Sequence, residues 1–478
     1  MKSTLYEGTC KAAALALTLV LLLGGGCAVG PDYHRPPTPE PAAFIHASAF
    51  STGTVDTAWW RAFNDPILER LVEMASTNNY DFLRAQARLR EARALWIEAR
   101  YDFAPTVRSE NSYKNSLASK GAQPRLQREE RHTELYRAGF DATWELDLWG
   151  RVRRNVEAAR ATIESVEASR DDVLVSVRAE VAANYLELRG LQAQLGVARR
   201  NATNQADTLK LAEALRDGGQ GTQLDVARSR SLLNATLATV PPLESNFQKA
   251  AYRIAVLCGR SPDKLPEELN TPAPLPAGPD RLDVGNPGDL LRRRPDVRAA
   301  ERSLVALTAR IGVEVADLFP KVTFAGTIGL EATKLSGLAA AGGDTWGFGP
   351  HLSWAAFDLG RVRQRIRAAD ARAEGALALY EQTVLLALEE TENSLVTLGR
   401  ERARAGYLRE SERAGTEALE LARQRYRDGI ADFLSVLDAE RTLLSLQEQL
   451  VTSETRTVTS LVALYKALGG GVAAPPVK

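Results

Sequence analysis

The chain has 478 residues, 25% of them charged and 45% hydrophobic, and its 60 basic side chains are balanced by 60 acidic ones. A nucleic-acid binder shows a basic excess, so neutrality argues against that partner. Cysteines at 10, 27 and 258 and histidines scattered at 34, 46, 132 and 351 offer no disulfide framework, no metal-ligand cluster and no local catalytic constellation.

Lys2 and Lys11 flank a short polar start, and residues 12–23 read AAALALTLVLLL. A charged start followed by an apolar run of this length reads as a signal peptide over 1–26, too short for a permanent membrane span. Gly24, Gly25 and Gly26 lead into Cys27. Bacterial lipoprotein processing needs small residues there, and the thiol then carries the lipid. The leucine usual three places before such a cysteine is Gly24 here, with Leu23 one place back. An ordinary signal peptide with an incidental cysteine is the alternative. No later stretch approaches ~20 uninterrupted apolar residues, so the mature chain has no transmembrane helix. A membrane crossing would then require a β-barrel.

Residues 27–58, with Pro31, Pro36, Pro37, Pro39 and Pro41, read as an extended segment without its own core. From Trp59 the pattern is helical, breaks near Asn78–Asn79 and ends before Pro105. Residues 136–148 (YRAGFDATWELDL) alternate strictly. Tyr136, Phe140, Trp144 and Leu146 fall on one face, with Arg137, Asp141, Glu145 and Asp147 on the other. The stretches 321–331 and 345–354 repeat this pattern, and 106–113 is a weaker strand with Val107 and Tyr113. The strands form two hairpins (106–148 and 321–357), each strand close to the ~9–11 residues of a membrane-crossing one.

After each hairpin a helical pattern runs from the glycine of a GRVR motif to the next glycine turn, roughly 65 residues or ~98 Å. Further helices follow at about 222–258, where Pro241–Pro242 should introduce a kink, and at about 431–468. The chain is duplicated. Trp144 and the GRVR at 150–153 recur as Trp354 and the GRVR at 360–363, an offset of 210; the RDG at 216–218 recurs at 427–429, offset 211. The organisation is a first repeat over 59–260, a Pro-rich linker over 261–287, a second repeat over 288–468 and a flexible tail over 469–478. The fold class is mainly α with transmembrane β.

Four strands cannot close a transmembrane barrel, since the smallest have about eight. Chains must pool strands. Two chains give eight, whose interior side chains fill, so a conduit favours three chains and twelve strands. Phe140, Trp144, Phe324, Leu352 and Trp354 should face lipid, while Asp141, Glu145 and Thr323 face water. Arg137, Asp147, Lys321 and Glu331 add to the polar lining. A soluble sandwich with a polar outer face is the competing account.

Three further motifs point to a family. Residues 23–36 (LGGGCAVGPDYHRP), 59–75 (WWRAFNDPILERLVEMA) and 290–304 (LLRRRPDVRAAERSL), the last followed by ADLFPKVTF at 316–324, resemble the TolC/OprM-type outer membrane factors of the NodT lipoprotein group. The resemblance covers Leu23 to Leu468. It implies a homotrimer with a twelve-stranded barrel and long antiparallel helices forming a periplasmic tunnel. It also implies docking onto a membrane-fusion adaptor and an inner-membrane pump, often of the RND class. No cofactor is implied beyond covalent lipid on Cys27, and no enzymatic step. The alternatives are a duct for type I protein secretion and, from another class, a periplasmic coiled-coil scaffold without a pore.

In that family the helix turns constrict the pore. The turns at 216–225 and 427–433 therefore carry the gate candidates Asp217, Asp225, Arg427, Asp428 and Asp432. Close relatives often carry an aperture aspartate at the place Ala431 takes here, one position from Asp432. Arg427 and Asp428 could pair to close the tip; the competing reading is that all five are solvated turn residues. Leu434, Val436 and Leu437 are expected to pack helices, and Cys258 to be a small core residue.

Overall fold

The computed structural model describes residues 28–39, 41–46, 50–51, 53–264, 266–279 and 281–472; Cys27 and the end of the tail lie outside them. In chain order the elements are α1 (Pro66–Asn78), α2 (Tyr80–Tyr101), β1 (Thr106–Leu117), β2 (His132–Leu146), α3 (Arg151–Asp217) and α4 (Gln223–Leu257). The second half brings α5 (Pro287–Arg293), α6 (Pro295–Ala316), β3 (Lys321–Ala332), β4 (Asp344–Ser353), α7 (Leu359–Arg427) and α8 (Phe433–Ala467). None of the described helices is long and apolar enough to cross a membrane.

Two compact units form, and both cut across the duplication. The first takes the described residues up to Pro37 with 89–166 and 300–380; the second takes 38–88, 167–299 and 381 onwards. The first unit holds the sheet, ordered β1-β2-β3-β4 and antiparallel throughout, so the two hairpins pair with each other through β2 and β3. Its helical part packs Ile311 on α6 against Ala369 and Ala373 on α7.

The second unit holds the larger core. Asp65 caps α1 by accepting from Ile67 N and Leu68 N at 2.8 and 3.1 Å, and Pro66 begins the helix with its preset φ. The break before α2 is pinned by buried Asn79, which accepts from Asp81 N at 2.9 Å and donates to Leu257 O at 2.9 Å. Trp59 stacks on Tyr465 with ring centroids 5.1 Å apart, and Arg178 lies over the Trp60 ring. Arg189 is fully buried; it donates to Tyr185 Oη, Gln192 Oε1 and Thr271 O at 2.7–3.0 Å.

The segment 261–287 is not a free tether. Leu269, Leu282 and Val284 are buried in this core, and Ser51 pairs with Asp283 as an isolated parallel bridge. α4 carries Pro241 and Pro242 in its interior, where two N–H donors are missing from the ladder.

The arginines of LLRRRPDV have a structural account. Arg293 Nε donates to Leu468 O and Arg294 Nη1 to Ala467 O, at 2.8 and 2.7 Å. The two guanidiniums thus bond the last carbonyls of α8, where the helix dipole favours positive charge. Arg294 is held in turn by Asp296 and Glu390, each at 2.7 Å.

The strands differ from their expected limits in one respect that matters. β2 ends at Leu146, so Asp147 is not a lining residue of the sheet. Its carboxylate instead accepts from Val152 N and Arg153 N, both at 3.0 Å, and satisfies the free N–H groups that open α3. The alternation that placed it on the polar face runs one step past the strand.

Candidate functional site

The sheet register gathers the apolar alternation onto one face. Phe140 lies opposite Ile328, and Ile328 opposite Trp346; Trp144 lies opposite Phe324, and Val322 opposite Leu352. Most of these large side chains are exposed, Phe140 at 56%, Trp346 at 69% and Leu352 at 65%, while Trp144 and Val322 are half-buried. A contiguous apolar face of this kind on a single sheet is a contact surface for something nonaqueous or for another chain. The opposite face is polar and charge-balanced. Arg137 pairs with Glu331 at 2.8 Å, and Glu145 with Lys321 at 2.7 Å. Asp141 lies opposite Arg108 on one side and Thr327 on the other, and Thr323 opposite Glu145.

Aromatic side chains mark both ends of the apolar face. At the end nearest α3, the indole N–H groups of Trp144, Trp149 and Trp354 donate to Phe103 O, Pro320 O and Leu318 O at 2.9–3.0 Å. β4 stops at Ser353, so Trp354 sits one residue past the strand. At the far end, Tyr113 and Tyr136 pack with centroids 4.7 Å apart. Eight residues separate the row of Tyr136 from the row of Trp144 on β2. At ~3.4 Å per residue and a tilt of ~40° those rows lie ~21 Å apart in height, close to the ~25 Å apolar band of barrels flanked by aromatic girdles. Trp149, which stacks on Phe319, was missed by the period-two pattern because it lies beyond the strand.

The extended N-terminal segment is fastened beside this girdle. Val29 N donates to Trp149 O at 3.1 Å. Arg154, only 5% exposed, donates to Val29 O and to Asp32 at 3.2 and 2.6 Å. Its pull holds the Asp32 carboxyl below the ordinary carboxylate value. Gly30, at φ +92°, lies so near Gly312 that an added Cβ would sit 2.4 Å from its Cα.

The two helix turns form the second feature, in the other unit. α3 ends at Asp217 and α4 starts at Gln223; α7 ends at Arg427 and α8 starts at Phe433. Gly219 and Gly429 carry positive φ, 73° and 70°, and close matching turns. They stand 210 residues apart, so the structural register of the tips is 210, and the RDG recurrence at 211 is one residue out of phase with it. Thr222 and Asp432 are the equivalent N-caps. Thr222 and Asp225 form a reciprocal capping box, while Asp432 accepts from Ser435 N and Oγ at 3.1 and 2.7 Å. Those bonds from Ser435 hold Asp432 below its ordinary carboxylate value.

Asp217, Arg427, Asp428 and Asp432 are exposed, with Asp225 half-buried. Among the described residues Arg427 and Asp428 make no ion pair with each other, since one side chain ends a helix and the next begins a turn; the adjacent pair that does form is Arg216–Asp217, at 2.6 Å. Val436 and Leu437 are buried as expected, whereas Leu434 points outward. Phe433 joins Ala212, Val226 and Leu437 in a small core shared by both tips, and Tyr426 packs on it at 5.2 Å. An open cleft of about 690 Å³ lies between Thr208, Asp207, Arg423, Glu420 and Phe433. Cys258 is buried, and burial raises its thiol pKa to about 11, which suits a core residue and not a nucleophile.

A sheet polar on one face and apolar on the other, girdled by aromatics and joined to long antiparallel helices, defines a β-barrel channel protein with a helical extension. The sequence comparisons agree. The model of the family described as outer membrane efflux protein matches twice, over residues 71–260 and 286–470, and the chain belongs to that family. It is similar to Nodulation protein T of Rhizobium leguminosarum bv. trifolii, 32% identical over 94% of this chain and 96% of that one. It is also similar to the solvent efflux pump outer membrane protein SrpC of Pseudomonas putida, 30% identical over 94% and 97%. Among solved structures, the outer-membrane channel OprN superposes with a TM-score of 0.87 at 42% identity, covering 93% of this chain and 99% of that one. The open state of the Neisseria gonorrhoeae MtrE channel gives 0.83 at 26% identity, covering 93% and 98%. The chain is an outer-membrane efflux channel.

Proposed function

We propose that three copies of this chain close a twelve-stranded barrel and passively conduct substrates handed over by a periplasmic adaptor and an inner-membrane pump of the RND class. The observation that carries this reading is the sheet: β1 and β4 have no outer partner among the described residues, and the apolar face is largely exposed. An open sheet edge in lipid costs several kcal/mol for each unpaired backbone group. Three sheets joined edge to edge remove all such edges and leave a polar lumen.

In this assembly Phe140, Trp144, Phe324, Leu352 and Trp354 contact lipid. Cys27 carries the acyl anchor; the fastening of Ala28 against Gly150 and of Val29 on Trp149, beside the tryptophan girdle, supports an anchor at that level. Asp217, Asp225, Arg427, Asp428 and Asp432 line the periplasmic constriction. The relatives named as components of solvent efflux pumps support a pump partner.

Native mass spectrometry of the detergent-purified protein, with conductance in planar bilayers, tests the proposal. Three chains per particle and stepwise currents are expected. A stable monomer that stays soluble without detergent would refute it.

A further inference from the structure

The duplication allows every contact to be compared with its counterpart, and near the tips one contact breaks the symmetry. Arg199 on α3 pairs with Glu244 on α4 at 2.7 Å. Their equivalents 210 residues on, Arg409 on α7 and Glu454 on α8, pair at 2.8 Å with the same polarity. Nearer the tips Glu213 meets Arg230 at 2.9 Å, and the equivalents Arg423 and Glu440 meet at 2.8 Å with the charges exchanged.

The exchange has a geometric consequence. Glu440 is buried, its side chain 4% exposed, and its Oε1 also accepts from the Thr208 hydroxyl of α3 at 2.8 Å. The position equivalent to Thr208 is Ala418, and the position equivalent to Glu440 is Arg230. Neither can form this bond, so the connection joins α3 to α8 once per chain and has no twin. Both bonds fall on Oε1, while Oε2 is buried with no partner among the described residues. A buried carboxylate is costly unless its few hydrogen bonds persist. Farther from the tips the same junction is bridged by neutral donors: Asn201 to Gln447 at 2.9 Å, and Gln194 to Thr452 at 3.4 Å. The charged link is the one nearest the tips, about two helical turns from Phe433.

We propose that Glu440 is a positioning residue for the channel tip: Thr208–Glu440–Arg423 ties the first turns of α8 to α3, and parting of Thr208 from Glu440 frees the turn at 428–432. Released, Glu440 keeps Arg423, so the α7–α8 hairpin stays intact while its attachment is cut. The inference rests on the tip constriction proposed above.

Thr208→Val keeps the side chain's shape without the hydroxyl, and Thr208→Ser keeps the hydroxyl. The double variant Arg423→Glu/Glu440→Arg adopts the first-repeat polarity, preserving the hairpin pair while giving Thr208 no acceptor on α8. In planar bilayers Thr208→Val and the double variant should raise the open-to-closed ratio about tenfold or more, the scale of one hydrogen bond to a charged group, with Thr208→Ser at the parent value. Amide hydrogen exchange over residues 433–440 should quicken in the same two variants, a readout that needs no current. Parent-like gating and exchange in Thr208→Val overturns the tie, whether or not the double variant folds. Faster exchange over residues 433–440 in Thr208→Val with gating unchanged from the parent refutes the proposed constriction and leaves the tie standing.

Discussion

Asp172 on α3 offers a measurable pH dependence. Burial is the main reason its pKa rises from 3.8 to about 6; Asp296 and Glu390 add to the rise, and Arg294 and Lys466 oppose it. Arg294 is already engaged by Asp296 and Glu390, both at 2.7 Å, so little of its charge remains for a third carboxylate. The folded state therefore binds the Asp172 proton more tightly than the unfolded chain. Ionising it above pH 6 costs stability, and the cost fades as pH falls through 6 towards 4. A displacement of about two pKa units corresponds to ~3 kcal/mol as an upper bound. Asp172→Asn removes the charge and keeps the shape. Its thermal midpoint in detergent should exceed the parent's at pH 7.5, with the gap closing by pH 4. A variant whose midpoint tracks the parent's at every pH, or falls below it at pH 7.5, would show that Asp172 is not held against its charge.

Phe140→Arg places a cation on the apolar face and should cost about 2–4 kcal/mol in folding into vesicles, whereas Thr327→Arg on the opposite face should be tolerated; equal costs would dissolve the distinction between the faces. Arg294→Ala removes a C-terminal bond of α8 and the partner of Asp296 and Glu390, which are 28% and 42% exposed and can be hydrated, so a loss of ~1–3 kcal/mol is expected by denaturant titration. Cys27→Ser should abolish metabolic labelling by palmitate while export continues, because the barrel holds the protein in the membrane; persistent labelling would place the lipid elsewhere.

The strands were legible because a half-buried sheet forces period two, and β3 obeys it throughout, β2 over 136–146 and β4 over 345–353. β1 was harder, since Val107 and Tyr113 are nearly all the apolar signal it has. Asp147 shows the limit of periodicity: it continued the alternation, yet its carboxylate caps a helix. The segment 261–287 read as a linker because Leu269, Leu282 and Val284 are too sparse among prolines to show a period, although all three are core residues. At the tips the glycines gave the turns, but the RDG triplet suggested a register one residue off, because backbone conformation at Gly219 and Gly429 sets it and the neighbouring letters do not. Glu440 carries no local mark. Aligning the two halves at 210 would have exposed its exchanged charge, but the bond to Thr208 arises only when α3 and α8 pack.

The recurrence at 210 residues also bears on rotational symmetry. Each half of the chain brings two strands and one tip, so the proposed assembly arranges six halves about an axis. Identical halves would make a sixfold ring in which every tip equals its neighbour. Two halves joined in one polypeptide can diverge, and Ala418 against Thr208, with Arg230 against Glu440, is divergence of that kind. In the proposed ring that divergence would make the junctions between tips alternate, three bonded and three plain. Such a ring can reserve one set of tips as a fixed frame and move the other within it.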